Sequence, residues 1–226
     1  LIIDSVLATL SVGSAEILTL SAGRPLVIGG ADSNSILGLT EGELDRINSS
    51  TLKLGSDTTG NISQTENISR SGGLQLRSGG SIALQNGGAS TTGAVFLDAG
   101  TFITPLAQPL DVVGSGLSFG TTDTLKIGIV SSIEYDALSV NGTVDLAGLT
   151  LELTGTFVPA QFGECFTIVD NDGTEAITGI FTGLPEGTEF DYNGRALKIS
   201  YLGGDGNDVI LATAPDYVIN STAGGG

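Results

Sequence analysis

The chain is written in short apolar runs, none of them long enough to fold alone. Ala8-Thr9-Leu10-Ser11-Val12, Ile17-Leu18-Thr19-Leu20 and Pro25-Leu26-Val27-Ile28-Gly29-Gly30 open the pattern. Thr51-Leu52-Lys53-Leu54-Gly55, Leu74-Gln75-Leu76, Ser81-Ile82-Ala83-Leu84 and Ala94-Val95-Phe96-Leu97 continue it. Within each run Leu, Ile and Val alternate with other residues, the period of a strand with one buried face, and a turn signal follows. Helical periodicity is nearly absent. Strands this short do not fix a hairpin register, but they can stack in parallel so that each apolar face packs on its neighbours. Similar runs recur at roughly 20 residues, the period range of solenoids. The expected fold is therefore all-β, a right-handed parallel β-helix (solenoid) with a β-rich C-terminal cap. An antiparallel β-sandwich is the alternative, because it too reads as many short strands. The scarcity of Asn-Gly or Asp-Gly turns between long strands counts mildly against it.

Three regions are expected. Residues 1–134 read as β-helix rungs, interrupted near 40–47 by a helical turn. There Leu44 and Ile47 stand at i, i+3, and Thr40 stands at capping-box spacing from Glu43. From Tyr135 the strands become longer, as in Asp136 to Leu146, Leu149 to Leu153 and Ala196 to Tyr201, so 135–213 reads as terminal rungs or a β-rich cap. Residues 214–226, ending Gly224-Gly225-Gly226, read as a flexible tail or linker.

Composition narrows the function. Hydrophobic residues make up 40 %, so the chain is not of the disordered type. Its 35 Gly come with only 6 Pro and no G-X-Y period, which excludes collagen. The 25 acidic and 8 scattered basic residues give a net charge of −17. A nucleic acid or an anionic membrane surface would be repelled. No apolar stretch approaches the roughly 20 residues of a spanning helix, so no membrane insertion of this segment is expected. The absence of Met suggests a processed product or an excerpt of a longer polypeptide, and the start Leu1-Ile2-Ile3-Asp4 lacks the basic region of a signal peptide.

Two passages resemble a known class of proteins. Thr40-Glu41-Gly42-Glu43-Leu44-Asp45-Arg46-Ile47, followed by Thr51-Leu52-Lys53-Leu54-Gly55, is similar to a unit recurring in filamentous-haemagglutinin-like surface proteins. Tyr135 to Leu146, Phe166 to Gly173, Gly179 to Gly187 and Tyr201 to Leu211 resemble the closing segment of autotransporter-associated β-strand repeat passengers. The resemblance implies a β-helix, export to the bacterial cell surface and an adhesive or scaffolding role, with no catalytic residues to carry over.

Several residues are candidates for chemistry. Gly203-Gly204-Asp205-Gly206-Asn207-Asp208-Val209-Ile210-Leu211 fits the G-G-x-G-x-D-x-U-x nonapeptide of calcium-binding β-rolls at each fixed position. Asp205, Asn207 and Asp208 are its candidate oxygen ligands. The motif occurs as a single copy, which supplies only half a cage, and a tight Gly turn into the final strand is the plainer reading. Asp170-Asn171-Asp172-Gly173 begins like an acidic calcium loop but lacks the Glu at the twelfth loop position, so an Asx turn between strands is favoured. Glu41/Glu43 and Glu186/Glu189 are carboxylate pairs of the kind glycosidases use. With no His, no Trp and 12 aromatic residues in all, a catalytic role is not expected. Cys165 has no His to activate it and reads as a structural residue. Asn48, Asn61, Asn67, Asn141 and Asn220 begin Asn-x-Ser/Thr triplets, which matter only in a host that glycosylates.

The expectation is a non-enzymatic structural or adhesive segment of a secreted cell-surface fibre or adhesin, meeting copies of itself end to end or other surface polymers. It carries no cofactor apart from the candidate calcium. The alternative is an extracellular calcium-binding or polysaccharide-acting β-solenoid module.

Overall fold

A computed structural model describes residues 10–84, 89–105, 110–112 and 116–214. Three strands, β1 (Leu10–Ile17), β2 (Leu26–Ile28) and β3 (Leu37–Leu39), precede the helix α1 (Glu41–Leu44). Strands then come in threes: β4 (Ile47–Ser56), β5 (Ile62–Gln64) and β6 (Ile68–Arg70); β7 (Gly73–Ser78), β8 (Ile82–Leu84) and β9 (Ala89–Thr91). The next threes are β10 (Val95–Ala99), β11 (Ile103–Pro105) and β12 (Leu110–Val112), then β13 (Leu117–Phe119), β14 (Thr124–Gly128) and β15 (Leu138–Asn141). The set closes with β16 (Thr150–Thr154), β17 (Cys165–Asn171), β18 (Glu189–Tyr192), β19 (Arg195–Gly203) and β20 (Asp208–Ala212).

Each three contributes one strand to each of three sheets. The first sheet runs β1-β4-β7-β10-β13, the second β16-β14-β11-β8-β5-β2-β3, and the third β18-β19-β20-β17-β15-β12-β9-β6. All pairs in the first two sheets are parallel. The third is parallel from β6 to β17 and antiparallel from β17 through β20 and β19 to β18. The fold is all-β with parallel sheets, so the antiparallel sandwich does not describe it. A parallel pair needs a connection of a dozen or more residues, usually a helix. For the pairs from β4–β7 to β12–β15 the connection is two intervening strands, one in each of the other sheets.

Register aligns like with like. In the first sheet Leu52, Leu74, Val95 and Leu117 pair in succession, and Leu54, Leu76, Leu97 and Phe119 form the next column. In the second, Leu26, Ile62, Ile82, Ile103 and Leu125 do the same. All but Phe119 in these columns are 1 % exposed or less. Burying such a side chain is worth about 1.5–3 kcal/mol, which is what stacks strands too short to pair stably by backbone alone. Later repeats lengthen because the chain makes excursions. One is the turn closed by the Ile129–Tyr135 bridge, whose Ile133 is 92 % exposed.

Corners between the first and second sheets stack as tightly as the strands. Gly100 donates its N–H to the Ser78 carbonyl (2.8 Å), and a Cβ there would overlap the Gly79 backbone. Gly79 in turn lies against the Asp57 carbonyl. One corner later the buried Asp123 carboxylate accepts from Ala99 N–H (3.1 Å) and Gly120 N–H (2.9 Å).

Both ends of the third sheet depart from the parallel pattern. Helix α1 stands in the chain where later threes carry a third-sheet strand. Its first turn is held by the Glu43 carboxylate, which accepts from Thr40 N–H at 2.9 Å, while Leu44 is buried. At the other end the β18–β19 turn hooks onto the last residue of β16 and the chain beyond it. Tyr192 Oη donates to the Thr154 carbonyl (3.0 Å), Asn193 Nδ2 to the Phe157 carbonyl (2.7 Å) and Arg195 Nε to the Pro159 carbonyl (3.0 Å). Here the core turns from aliphatic to aromatic: Tyr135 meets Phe166 edge-on at 5.3 Å, and Tyr201 Oη donates to the Leu184 carbonyl at 2.6 Å. Ala214 pairs with Phe162, and residues 215–226 of the expected tail lie outside the described residues.

Candidate functional site

Two Asx-rich segments that lie far apart in the sequence meet at the C-terminal end of the third sheet. Asp170 and Asn171 end β17, and Asp172, Gly173 and Glu175 follow. Gly204 to Asn207 form the turn between the antiparallel strands β19 and β20, with Gly203 opposite Asp208. The nonapeptide-like segment is thus a hairpin turn here. Gly204 takes φ 56°, and a Cβ there would run into Asp208 Oδ2, so neither backbone nor space admits a side chain.

Hydrogen bonds join the two segments. Asn171 N–H donates to Asp208 Oδ1 at 2.9 Å. Asn207 Nδ2 donates to the carbonyls of Gly173 (2.6 Å) and Glu175 (3.3 Å). Asn171 Nδ2 also donates to the Glu175 carbonyl (2.7 Å), and its Oδ1 accepts from Gly173 N–H (3.1 Å). Asn171 is 1 % exposed and Asn207 and Asp208 are each 7 % exposed, whereas Asp172, Glu175 and Asp205 face solvent. One enclosed atom is left over: Asn207 Oδ1 accepts no hydrogen bond. Burial raises the Asp170 carboxyl above the ordinary range, and the charges of Asp172, Asp208 and Asp205 push it further. Among the described residues, three or more carboxylate or thiol side chains are nowhere gathered in metal-holding geometry.

The other candidates are dispersed. Glu43 is engaged with Thr40, and Glu186 Oε2 accepts from Tyr201 N–H at 2.7 Å. Glu186 and Glu189 line one shallow groove with Lys198, Ser200 and Ile210, and no aromatic side chain flanks them there. Cys165 is exposed at the start of β17, yet partial desolvation of its sulfur pushes the thiol pKa up, the reverse of nucleophile activation. Asn48, Asn61, Asn67 and Asn141 are exposed, and Asn220 lies outside the described residues.

Two polar features escaped the sequence reading. Arg70 on β6 is half-buried, with Nη2 donating to Ser49 Oγ (2.9 Å) and Nη1 to the Ile47 carbonyl (3.3 Å); burial lowers its pKa. Asp123 is the other. Its carboxyl is raised, first by burial and then by Asp98, against the lowering effect of its two N–H donors. A Gly120-Thr121-Thr122 turn ahead of an Asp was the available signal, since Asx side chains accept from turn N–H groups.

Asp123 and Asp170 set a pH dependence. A carboxyl whose folded pKa lies above its unfolded value binds its proton more tightly when folded. Its contribution to stability is therefore complete below the unfolded pKa and is lost as pH rises through the folded one. The melting temperature is expected to fall as pH rises from roughly 4 to 7, and less steeply in Asp170→Asn. Thermal unfolding by circular dichroism across that range checks it, and a curve that rises throughout refutes the assignment.

Comparison of the chain with protein-family models, with curated proteins and with solved structures gives no match.

Proposed function

We propose that the chain is a right-handed parallel β-helix serving as a structural or adhesive segment of a secreted bacterial surface fibre. The observation that carries this reading is the pairing of each strand from β4 to β12 with the strand three places along, in parallel and with apolar columns in register. Such pairing is what a chain wound round one apolar axis produces, and parallel crossovers in a sheet are right-handed in about 98 % of cases. The product is a rigid body with a large acidic, Ser/Thr-rich surface. The dispersed carboxylates and the groove without aromatic platforms support a non-catalytic role over a polysaccharide-acting one. Partners are copies of the same chain meeting end to end, or other surface polymers.

Negative-stain electron microscopy of concentrated protein tests assembly, and binding to bacterial and host surface polymers tests adhesion. Rods longer than one molecule, or saturable binding, are the expected results. Isolated particles that bind no surface polymer would remove the proposal.

A further inference from the structure

The second sheet is finished differently at its two ends. At β3, Leu37 N–H donates to the Pro25 carbonyl (2.9 Å) and Gly29 N–H to the Leu39 carbonyl (2.8 Å), so Gly38 turns its backbone groups away from β2. Asp32 Oδ1 accepts from Gly38 N–H at 3.4 Å, and Arg24 Nη2 donates to the carbonyls of Ser33 (2.7 Å) and Ile36 (2.8 Å). That edge is sealed by the chain's own side chains, a protection against stray pairing. At β16, Thr150 N–H donates to the Asp123 carbonyl (2.9 Å) and Ile129 N–H to the Thr154 carbonyl (2.8 Å). Alternate residues therefore face β14, and Leu151 and Leu153 present N–H and C=O to the far side. There Thr182 N–H reaches the Leu149 carbonyl (2.8 Å), and the chain then enters a turn in which Leu184 N–H donates to the Phe181 carbonyl (3.0 Å). Among the described residues no backbone group meets Leu151 or Leu153 on this side. The apolar columns stop here too. Leu125 and Ile127 are 0 % exposed, whereas Leu151 and Leu153, next in the same columns, are only half-buried. They line a groove with Leu184, Phe190, Asp191 and Tyr192, and since β18 ends the third sheet, two sheet edges border it.

We infer that the β16 edge takes an extended strand of apolar–basic–apolar sequence from a partner polypeptide, as a further strand of the second sheet. The strand that β16 already holds on its other side shows what it matches. Leu125-Lys126-Ile127 pairs with Leu151-Glu152-Leu153, and Lys126 Nζ lies 3.4 Å from Glu152 Oε1. A strand of that pattern on the open side sets its apolar side chains against Leu151 and Leu153 and its cation beside Glu152, whose side chain is 49 % exposed. Charge favours the same partner. Asp191 lines the groove, no basic residue does among the described residues, and residues 135–226 hold 13 acidic and 2 basic residues, net −11. A basic strand is drawn to this end and an acidic one repelled. A second copy of the chain is a poor donor. Its triplets Leu52-Lys53-Leu54, Leu125-Lys126-Ile127 and Leu197-Lys198-Ile199 lie in strands paired on both sides, and its β3 edge is sealed. In strand addition the backbone bonds give affinity and the pockets for alternate side chains give selectivity. The inference needs only the pairing of β14 with β16, and holds whether or not the chain belongs to a surface fibre.

The test uses the whole chain and a fluorescein-labelled peptide of residues 124–129 with serines at both ends, followed by anisotropy. Saturable one-to-one binding is expected, with the Lys126→Glu form of the peptide weaker by about tenfold or more, because like charges set side by side oppose docking. Glu152→Lys in the chain is expected to reverse that preference, and Leu151→Asp to abolish binding of both peptides. Glu152 is exposed, so its variant is expected to fold; should Leu151→Asp fail to fold, the reversal in Glu152→Lys still decides. Sedimentation of the unlabelled chain is run alongside. A concentration-dependent dimer that excludes the peptide would make a second copy the occupant and overturn the inference. No peptide binding, equal binding of the Lys and Glu peptides, or a preference unchanged in Glu152→Lys overturns it as well. Filament formation is read separately by microscopy, so failure of the fibre reading leaves these outcomes unaffected.

Discussion

Leu74→Ala is expected to remove about 2–5 kcal/mol of stability, a fall of roughly 4–20 °C in Tm for a chain of this size. Leu74 is 1 % exposed and sits between Leu52 and Val95 in an apolar column. The strands above and below are held about 4.8 Å away by ladder hydrogen bonds, so the column has little room to collapse into the space left. The cost should lie at the upper end of the large-to-small range for that reason. Lys53→Ala, an exposed position on the neighbouring strand β4, is expected to stay within about 0.5 kcal/mol. Thermal and denaturant unfolding of both variants checks the pair. A Leu74→Ala loss below about 1 kcal/mol would mean that the column is not packed as described.

Gly100→Val should be comparably damaging, by about 2–4 kcal/mol, through a different cause. The obstacle is the backbone of Gly79 in the corner beneath, which cannot swing aside as a side chain can. Any relief must come from prising two corners apart, with loss of the 2.8 Å bond from Gly100 N–H to the Ser78 carbonyl. Gly42→Ala is the control: it lies in α1 with nothing within 4 Å of the added carbon, so helix propensity alone should act and add about 0.5–1 kcal/mol. Equal effects at the two glycines would show that chain entropy, not corner stacking, governs both.

The strands themselves were legible in the sequence, because period-2 alternation shows at once in Leu52-Lys53-Leu54, Leu74-Gln75-Leu76 and Val95-Phe96-Leu97. Parallel pairing was legible at one remove, through the recurrence near 20 residues. Helix α1 was visible from Thr40 and Glu43. Direction was not legible everywhere. Alternation is the same read from either end, so nothing in Ala196-Leu197-Lys198-Ile199 marks β19 as antiparallel to β20. The site was half visible. Asp170 to Gly173 and Gly203 to Asp208 each stood out locally, but their meeting depends on β17 pairing with β20. Arg70 and Asp123 stayed hidden because partial or full burial of one charged residue among many leaves no periodic trace.

Register has a bearing on how this chain could grow or shrink. Leu74, Ile82 and Leu76 occupy places equivalent to those of Val95, Ile103 and Leu97, 21 positions on. Cutting out one such block would bring each later side chain onto the step its predecessor held, whereas losing a single residue would turn inward faces outward. Length across these parallel sheets is therefore a whole-number quantity: it changes cleanly only by complete blocks, each adding or removing one strand per sheet, while the closing hairpin stays as it is.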